Sequence, residues 1–394
     1  MTKVPLGSDA RSPQSTPLNT DGDSFYRRGE IVWLTLHNPV MLDDVDGAAD
    51  GFIIRFWPSV VEMDEGPPAV PLDHGKSAAT PLRVRLLSSG IAYDVPRHDT
   101  LPLWAHLPDE LWLQRLRLQT NKSISGVQNP FSGFVRVPGS PPREAILTFD
   151  TGDLLSHFLS DVSASLELSR SWSTTPITPP PSGENSAQIQ PHLSTTPSLH
   201  HELWWGAERI MLGDLIRLKI PESGLPRLGV DQTLFAPRAF PESPVETTLL
   251  GGMGTGDGQL FFKLRCLATA AGINGKELHG FGGLYRLAPV GPGPLSPPTA
   301  DTELRRPLHR PPEGFTFQPV LHSGWEIELS LHHIDGRYYP RLQEVIPEPH
   351  GVNAHILEVL EGIACWQTSP LRPVYFKKGS REEIIAETVR GLGC

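Results

Sequence analysis

The chain has 394 residues, which is room for two or three domains. Its formal net charge of −10 excludes a nucleic-acid-binding surface spread over the whole molecule and leaves only a local basic face for that role. Hydrophobic residues make up 38% of the chain, whereas its 41 prolines and 37 glycines together are about a fifth. This composition predicts compact β modules joined by proline-rich linkers.

The three cysteines, Cys266, Cys365 and Cys394, are far apart and odd in number. They fit a reducing compartment and exclude a zinc site of the Cys-x-x-Cys type. No run approaches the ~20 apolar residues of a membrane span. The first residues, MTKVPLGSDARSPQS, lack the apolar core of a signal peptide. We therefore expect a soluble, intracellular protein.

The first half of the chain predicts a small barrel. Residues 1–23 are polar and expected to be disordered. Four short runs rich in β-branched and aromatic residues then predict strands, at 29–36, 52–62, 82–87 and 91–95. Ser88-Ser89-Gly90 provides a hairpin turn between the last two.

Two helices and a linker follow this barrel. Leucine spacing predicts a short helix over 111–118, and Thr151-Gly152-Asp153 can cap a helix that begins at Leu154. Residues 171–198 are rich in proline, serine and threonine, so we expect a linker there.

The second half is organised around residues 200–220, HHELWWGAERIMLGDLIRLKI. Gly213-Asp214 predicts a turn, and residues 215–219 alternate apolar and basic, which predicts a strand with Arg217 and Lys219 facing solvent. Further strands are expected at 260–267, 283–287, 315–320 and 325–331, a glycine-rich loop at 269–282, and helices at 353–365 and 380–389.

The motifs of common enzymes are missing from the sequence. The glycine-rich run 251–258 lacks the Gly-Lys-Ser/Thr ending of a phosphate-binding loop. The adjacent pairs His200-His201 and His332-His333 would point to opposite faces of a strand, so neither chelates one metal readily. We expect no catalytic residue, no metal and no cofactor.

Four aromatic residues, Trp33, Phe56, Trp57 and Tyr93, are expected to lie near one another in the first barrel. They could form a cage that binds a methylated ammonium by cation–π attraction. They could equally be the largest apolar groups of a small core, and core packing is favoured for Trp33 and Phe56.

A basic stretch is a more specific signal of function than the aromatic residues. Residues 113–143 contain no aspartate or glutamate, and the cations there are Arg115, Arg117, Lys122, Arg136 and Arg143. Such an asymmetry predicts a face for phosphates, where cations gain from counterion release. An ordinary solvated surface explains the stretch about equally well.

Several strings resemble known chromatin proteins. FYRRGEIVWLTL followed by FWPSVVE resembles the small barrels of MBT and PWWP domains, although an acidic loop lengthens the spacing. HHELWWGAERIMLGDLIRLK, FFKLRCLA, GGLYRLAP, PPEGFTFQPV and GRYYPRL resemble the fungal transcription-silencing family of cryptic loci regulator 2. The Gly-Asp turn and the later Leu-Tyr strand also resemble a BAH domain.

The resemblance implies a mainly β protein with short helices. Its expected parts are a disordered N-terminus (1–23), an MBT/PWWP-like barrel with a trailing helix (24–170), a linker (171–198), a BAH-like module (199–290), a second linker (291–303), and C-terminal strands and helices packing on the BAH-like module (304–394). Partner-docking candidates are Trp204, Trp205 and Tyr285.

The implied function is that of a non-catalytic adaptor in the nucleus. Its partners would be the histone deacetylase and the nucleosome remodeller of the silencing complex SHREC, in heterochromatin formation and transcriptional silencing, with DNA or nucleosome contact through the first barrel. No membrane and no small-molecule substrate are expected. The alternatives are a methyl-lysine histone reader, or an enzyme that uses the glycine-rich loop or the histidines.

Overall fold

The structure is a computed structural model that describes residues 26–42, 52–63, 81–119, 128–139, 151–177, 198–236, 259–272, 275–290, 308–340, 342–345, 354–363 and 377–378. Several predictions lie outside these ranges. They concern the N-terminal segment, the acidic loop, the glycine-rich run 251–258, the linker 291–303, the helix at 380–389, Lys122 and Arg143. The predicted domain boundaries stay predictions.

The first half forms a six-stranded antiparallel sheet. Its strands are β1 (Ile31–Leu42), β2 (Phe52–Met63), β3 (Leu82–Leu86), β4 (Ala92–Val95), β5 (Thr100–Pro102) and β6 (Val135–Arg136). They pair in the order β5-β1-β2-β3-β4-β6. Within the described residues no pairing joins β5 to β6, so the predicted closed barrel is wrong, and the sheet is open.

The second half forms a larger sheet. Its strands are β7 (Ser171–Pro176), β8 (Ser198–Trp205), β9 (Glu208–Met211), β10 (Leu215–Leu218), β11 (Leu260–Gly272), β12 (Gly275–Pro289), β13 (Phe315–Pro319), β14 (Ile327–Ser330), β15 (Ile334–Arg337) and β16 (Lys377–Lys378). The main path is β13-β12-β11-β8-β7-β16, and β10 pairs with both β11 and β15. The prediction of a mainly β protein is confirmed.

The helices within the described residues are α1 (Glu110–Gln119), α2 (Thr151–Ser169), α3 (Leu342–Val345) and α4 (Ala354–Leu360). The α2 helix places Leu155, Phe158 and Val162 in the core of the first sheet, at the three- and four-residue spacing of one helix face. The helices predicted at 111–118 and from Leu154 onward are confirmed.

Two segments predicted to be irregular contain strands. The expected linker 171–198 begins with β7, which pairs with β8 through Trp172 and the threonines that follow it. The expected loop 269–282 is an antiparallel hairpin in which Gly272 pairs with Gly275. Proline and glycine content misled both predictions, because pairing with neighbouring strands outweighs local propensity.

The β10 strand differs from the prediction that its basic residues face solvent. All four residues from Leu215 to Leu218 are buried, and the strand pairs with β11 on one edge and with β15 on the other. The side chain of Arg217 is 0% exposed and lies in the interior. The predicted turn at Gly213-Asp214 is present, with Gly213 at a φ of 95°.

Candidate functional site

A cluster of buried charged residues lies where the two sheets meet. We call it the seam, and it consists of Arg27, Glu30, Glu208, Asp214, Arg217, Asp335 and Arg337. Backbone pairing also crosses this boundary, since the Ile31 amide donates to the carbonyl of Ala207 at 3.2 Å. The seam therefore connects residues that precede β1 with β9, β10 and β15.

Glu30 is the hub of the seam and is only 2% exposed. Its Oε2 accepts hydrogen bonds from the Arg27 amide and from Arg337 Nη2, both at 2.9 Å. Its Oε1 accepts one from the Arg209 amide at 2.9 Å. Three N–H groups, one of them on a guanidinium, thus provide hydrogen bonds to this buried carboxyl group.

Arg27 reaches from the first half into the second. Its guanidinium binds both carboxylate oxygens of Asp214, with Nη2 to Oδ1 at 2.7 Å, and donates to the carbonyl of Arg209 at 2.7 Å. Asp214 also accepts from the Met211 amide at 2.8 Å. Burial raises the pKa of Asp214, but the hydrogen bond and charge of Arg27 outweigh it, so the pKa lies below its usual value.

Arg217 lies on the other side of the seam. Its Nε donates to the carbonyl of Arg337 and its Nη1 to that of Val359, each at 3.0 Å, and Nη1 lies 3.7 Å from Asp335 Oδ2. Glu208 Oε2 accepts from the Arg337 amide at 2.7 Å. Burial raises the pKa of Glu208, and the charge of Arg217 opposes that rise.

Aromatic rings pack next to the seam. The Arg337 guanidinium lies 4.8 Å from the centre of the Tyr339 ring, and that ring is 6.5 Å from the ring of Tyr26. A buried ion pair adds little net stability, but removing one partner leaves an uncompensated buried charge. The seam thus fixes how the sheets meet.

The seam is built from strings of two resemblances, one to the MBT and PWWP barrels and one to the silencing family. FYRRGEIVWLTL provides Arg27 and Glu30, and HHELWWGAERIMLGDLIRLK provides Glu208, Asp214 and Arg217. GRYYPRL provides Arg337. The sequence analysis missed this cluster, because charges near strands were interpreted as solvated. One signal was present: Arg217 stands in an otherwise apolar strand.

The four cage candidates do not line one cage. Trp33 pairs with Pro58 while Trp57 pairs with Leu34, so the two tryptophans lie on opposite faces of the sheet. Trp33 and Phe56 share one face, where the His106 ring contacts both at centroid distances of 5.3 and 4.8 Å. Burial lowers the pKa of His106 to about 4, so this ring is neutral at pH 7.

The other face holds Trp57 and Tyr93. Phe131 stacks on Tyr93 at 5.3 Å and meets the Trp57 ring edge-on at 5.2 Å. Phe158 of α2 covers Trp57 from another side at 5.1 Å. Both rings are buried, so the structure places all four aromatics in the core of the first sheet.

The predicted docking residues also make intramolecular contacts. Trp204 is partly exposed, its ring lies against Gly29, and the Arg209 guanidinium sits 5.6 Å from its centre. Trp205 is buried beneath Lys219, whose Nζ is 5.8 Å from the ring. Tyr285 is buried in a small aromatic cluster with Phe261 and neighbouring rings. Trp204 thus helps to join the two halves.

The described DNA-contact candidates are spread over two elements. Arg115 and Arg117 lie on the exposed side of α1, where Arg117 Nη1 pairs with Glu110 Oε1 at 3.2 Å. Arg136 lies on β6, opposite Tyr93. No described contact connects Arg136 with the two arginines of α1.

A second buried polar cluster, which the sequence analysis did not single out, lies between α2 and the β3–β4 turn. Asp161 Oδ2 accepts from Trp57 Nε1 at 2.8 Å, and Oδ1 accepts from the Ser88 amide at 2.6 Å. His157 Nδ1 lies 3.0 Å from Ser88 Oγ. Burial raises the pKa of Asp161 to about 7, against the lowering effect of these hydrogen bonds.

Serine, histidine and aspartate here do not form a hydrolytic triad. In a triad the histidine lies between the other two, whereas here Ser88 contacts both His157 and Asp161. All three are buried, with Asp161 at 0% exposure. The cluster ties α2 to the hairpin.

In the described part of the chain, no group of three or more histidine, cysteine, aspartate or glutamate side chains is arranged to hold a metal ion. Among the same residues, no helix combines the length and the apolar character needed to cross a membrane.

Among the comparisons with known proteins, a solved structure shows a weak likeness to this chain. No family model matches the sequence, and no curated protein matches it. A solved structure described as "Structure of Clr2 bound to the Clr1 C-terminus" aligns with a TM-score of 0.36 and 10% identity over 85% of this chain. The chain spans about 60% of that protein's length. A likeness of this size carries no argument.

Proposed function

We propose that this chain is a non-catalytic adaptor subunit of a nuclear chromatin-silencing complex. The observation that carries the proposal is that a string resembling chromatin-reader barrels and two strings resembling the silencing family converge on the seam. Arg27, Glu30, Asp214 and Arg337 come from three separate strings and meet in one buried set of ion pairs. The resemblance thus falls on residues that fix the arrangement of the two sheets.

A fixed arrangement is what an adaptor needs. Partners that bind to different sheets keep a constant separation only if the sheets do not move independently. The partners that the resemblance implies are a histone deacetylase and a Snf-type nucleosome remodeller. The chain would hold them together in heterochromatin formation and transcriptional silencing.

Affinity purification of the tagged full chain from nuclear extract tests this function. We expect the deacetylase and the remodeller to be recovered together, in amounts that survive a moderate salt wash. Arg337→Met, which breaks the seam, should recover less of both. Arg83→Met is the matched control, because Arg83 pairs with Asp94 at a partly exposed site of the first sheet.

Two outcomes would contradict the adaptor function. One is recovery of neither subunit by the wild-type chain. The other is exclusion of the chain from the nucleus, observed by imaging a fluorescent fusion.

DNA or nucleosome contact through the first sheet is a finer prediction with its own test. If Arg136 binds a phosphate, Arg136→Glu should weaken duplex binding by the full chain and lower the salt slope by about 1. An unchanged slope would remove Arg136 from the contact.

A further inference from the structure

The α1 helix is apolar on two opposite sides. Its inner side buries Leu113 and Leu116 in the core of the first sheet. Its outer side exposes Leu111 by 63% and Leu118 by 74%. A helix at the surface of a globular protein usually has one apolar stripe and a polar outer face. The outer leucines therefore form a second stripe that no described residue covers.

Arg115 lies within this outer stripe. Leu111, Arg115 and Leu118 are spaced at i, i+4 and i+7, which places them side by side on a helix. Arg117 pairs with Glu110, whereas among the described residues no acidic side chain forms an ion pair with Arg115. The outer face thus offers two leucines and one cation between them.

This combination fits an acidic protein segment better than DNA. Faces that bind phosphates are formed by cationic and polar side chains, and leucines gain nothing against a sugar-phosphate backbone. Against another helix, the same leucines lose contact with water and gain about 25 cal/mol for each Å² of apolar area. Arg115 would meet a carboxylate at the centre of such a contact.

We propose that the outer face of α1 docks an acidic amphipathic helix of a partner protein. The partner helix would place leucine-like side chains at i, i+3, i+4 and i+7 against Leu111 and Leu118, and a glutamate or aspartate against Arg115. This docking deepens the proposed adaptor function and rests on it, since it gives one partner a defined surface.

Fluorescence anisotropy with the full chain tests the proposal. The probes are a labelled peptide with leucines at that spacing and glutamates beside them, the same peptide with lysine for glutamate, and a duplex DNA oligonucleotide. We expect the acidic peptide to bind more tightly than the basic one. Leu118→Ser should weaken its binding about tenfold, as the loss of one buried leucine predicts.

Charge reversal at Arg115 provides the most discriminating test. Arg115→Glu should weaken binding of the acidic peptide and strengthen binding of the basic one. The matched controls are Leu228→Ser and Arg227→Glu, which change an exposed leucine and an exposed arginine on a short 3-10 helix of the second half. Neither should alter peptide affinity.

Three results would overturn the docking proposal. They are equal affinity for both peptides, unchanged binding by Leu118→Ser, and a loss of DNA affinity in Arg115→Glu without any change in peptide affinity. If Leu118→Ser also recovers the complex subunits as the wild type does, docking on α1 fails and the adaptor function stands. If the wild type recovers none, the adaptor function fails whatever the peptides do.

Discussion

Two buried polar clusters in the described part of the chain, the seam and the cluster around Asp161, differ in what neutralises their carboxylates. In the seam, Asp214 faces the guanidinium of Arg27, and its pKa lies below the usual value despite burial. Between α2 and the β3–β4 turn, Asp161 has hydrogen bonds with uncharged groups of Trp57 and Ser88. Burial therefore dominates at Asp161 and raises its pKa to about 7.

This difference shows which cluster depends on charged partners. Glu30 and Arg337 are 307 residues apart in sequence and are buried together, so removal of Arg337 would leave Glu30 buried without its cation. Asp161 can instead take up a proton, because burial makes its charged form unfavourable. The seam should therefore be the more sensitive of the two to substitution.

The largest effect is expected for Arg337→Met, which leaves Glu30 buried without its cation. The free energy of unfolding should fall by about 3–5 kcal/mol. Urea denaturation followed by tryptophan fluorescence measures it. Arg83→Met, which removes a partly exposed ion pair, should cost less than about 1 kcal/mol. Equal losses in the two variants would contradict the role given to the seam.

Gly29→Ala tests the close packing of Gly29 against Trp204, next to the seam. Gly29 has a φ of 89°, and a Cβ there would lie 2.8 Å from a ring carbon of Trp204. Left-handed strain and overpacking together predict a loss of about 3 kcal/mol. Gly139→Ala shares the positive φ but has no atom within 4 Å of the added Cβ, so it measures the strain alone. A Gly29→Ala loss no greater than that of the control would mean that Trp204 moves aside freely.

Asp161 should make stability depend on pH. Because its folded pKa of about 7 exceeds the unfolded value, its contribution is complete below about pH 4 and is lost as the pH rises through 7. Relative to Asp161→Asn, the wild type should lose about 2 kcal/mol between pH 5 and 8. Asp153→Asn, an exposed position of the same helix, is the matched control. A difference that stays constant over this pH range would contradict the assignment.

Local patterns predicted the local structure well. The alternation of Leu82, Val84 and Leu86, followed by Ser88-Ser89-Gly90, predicted the β3–β4 hairpin. The leucines of α1 predicted that helix. These features depend on neighbours within a few residues, and such neighbours are visible in the sequence.

The register and the seam could not be predicted in the same way. Trp33 and Trp57 were expected to be close, but a register that pairs Trp33 with Pro58 puts them on opposite faces, and a shift of one residue would reverse this. Arg217 was expected in solvent, because nothing local indicates that β15 will cover β10. Whether a charged side chain is buried depends on residues that are distant from it in the sequence.

Hydrogen exchange at increasing urea concentration tests the central claim most directly, namely that the seam makes the two sheets open as one unit. The amides of β1 and β10 should exchange with the same opening free energy in the wild-type chain. In Arg337→Met the two values should separate. Different opening free energies for β1 and β10 in the wild type would contradict the account.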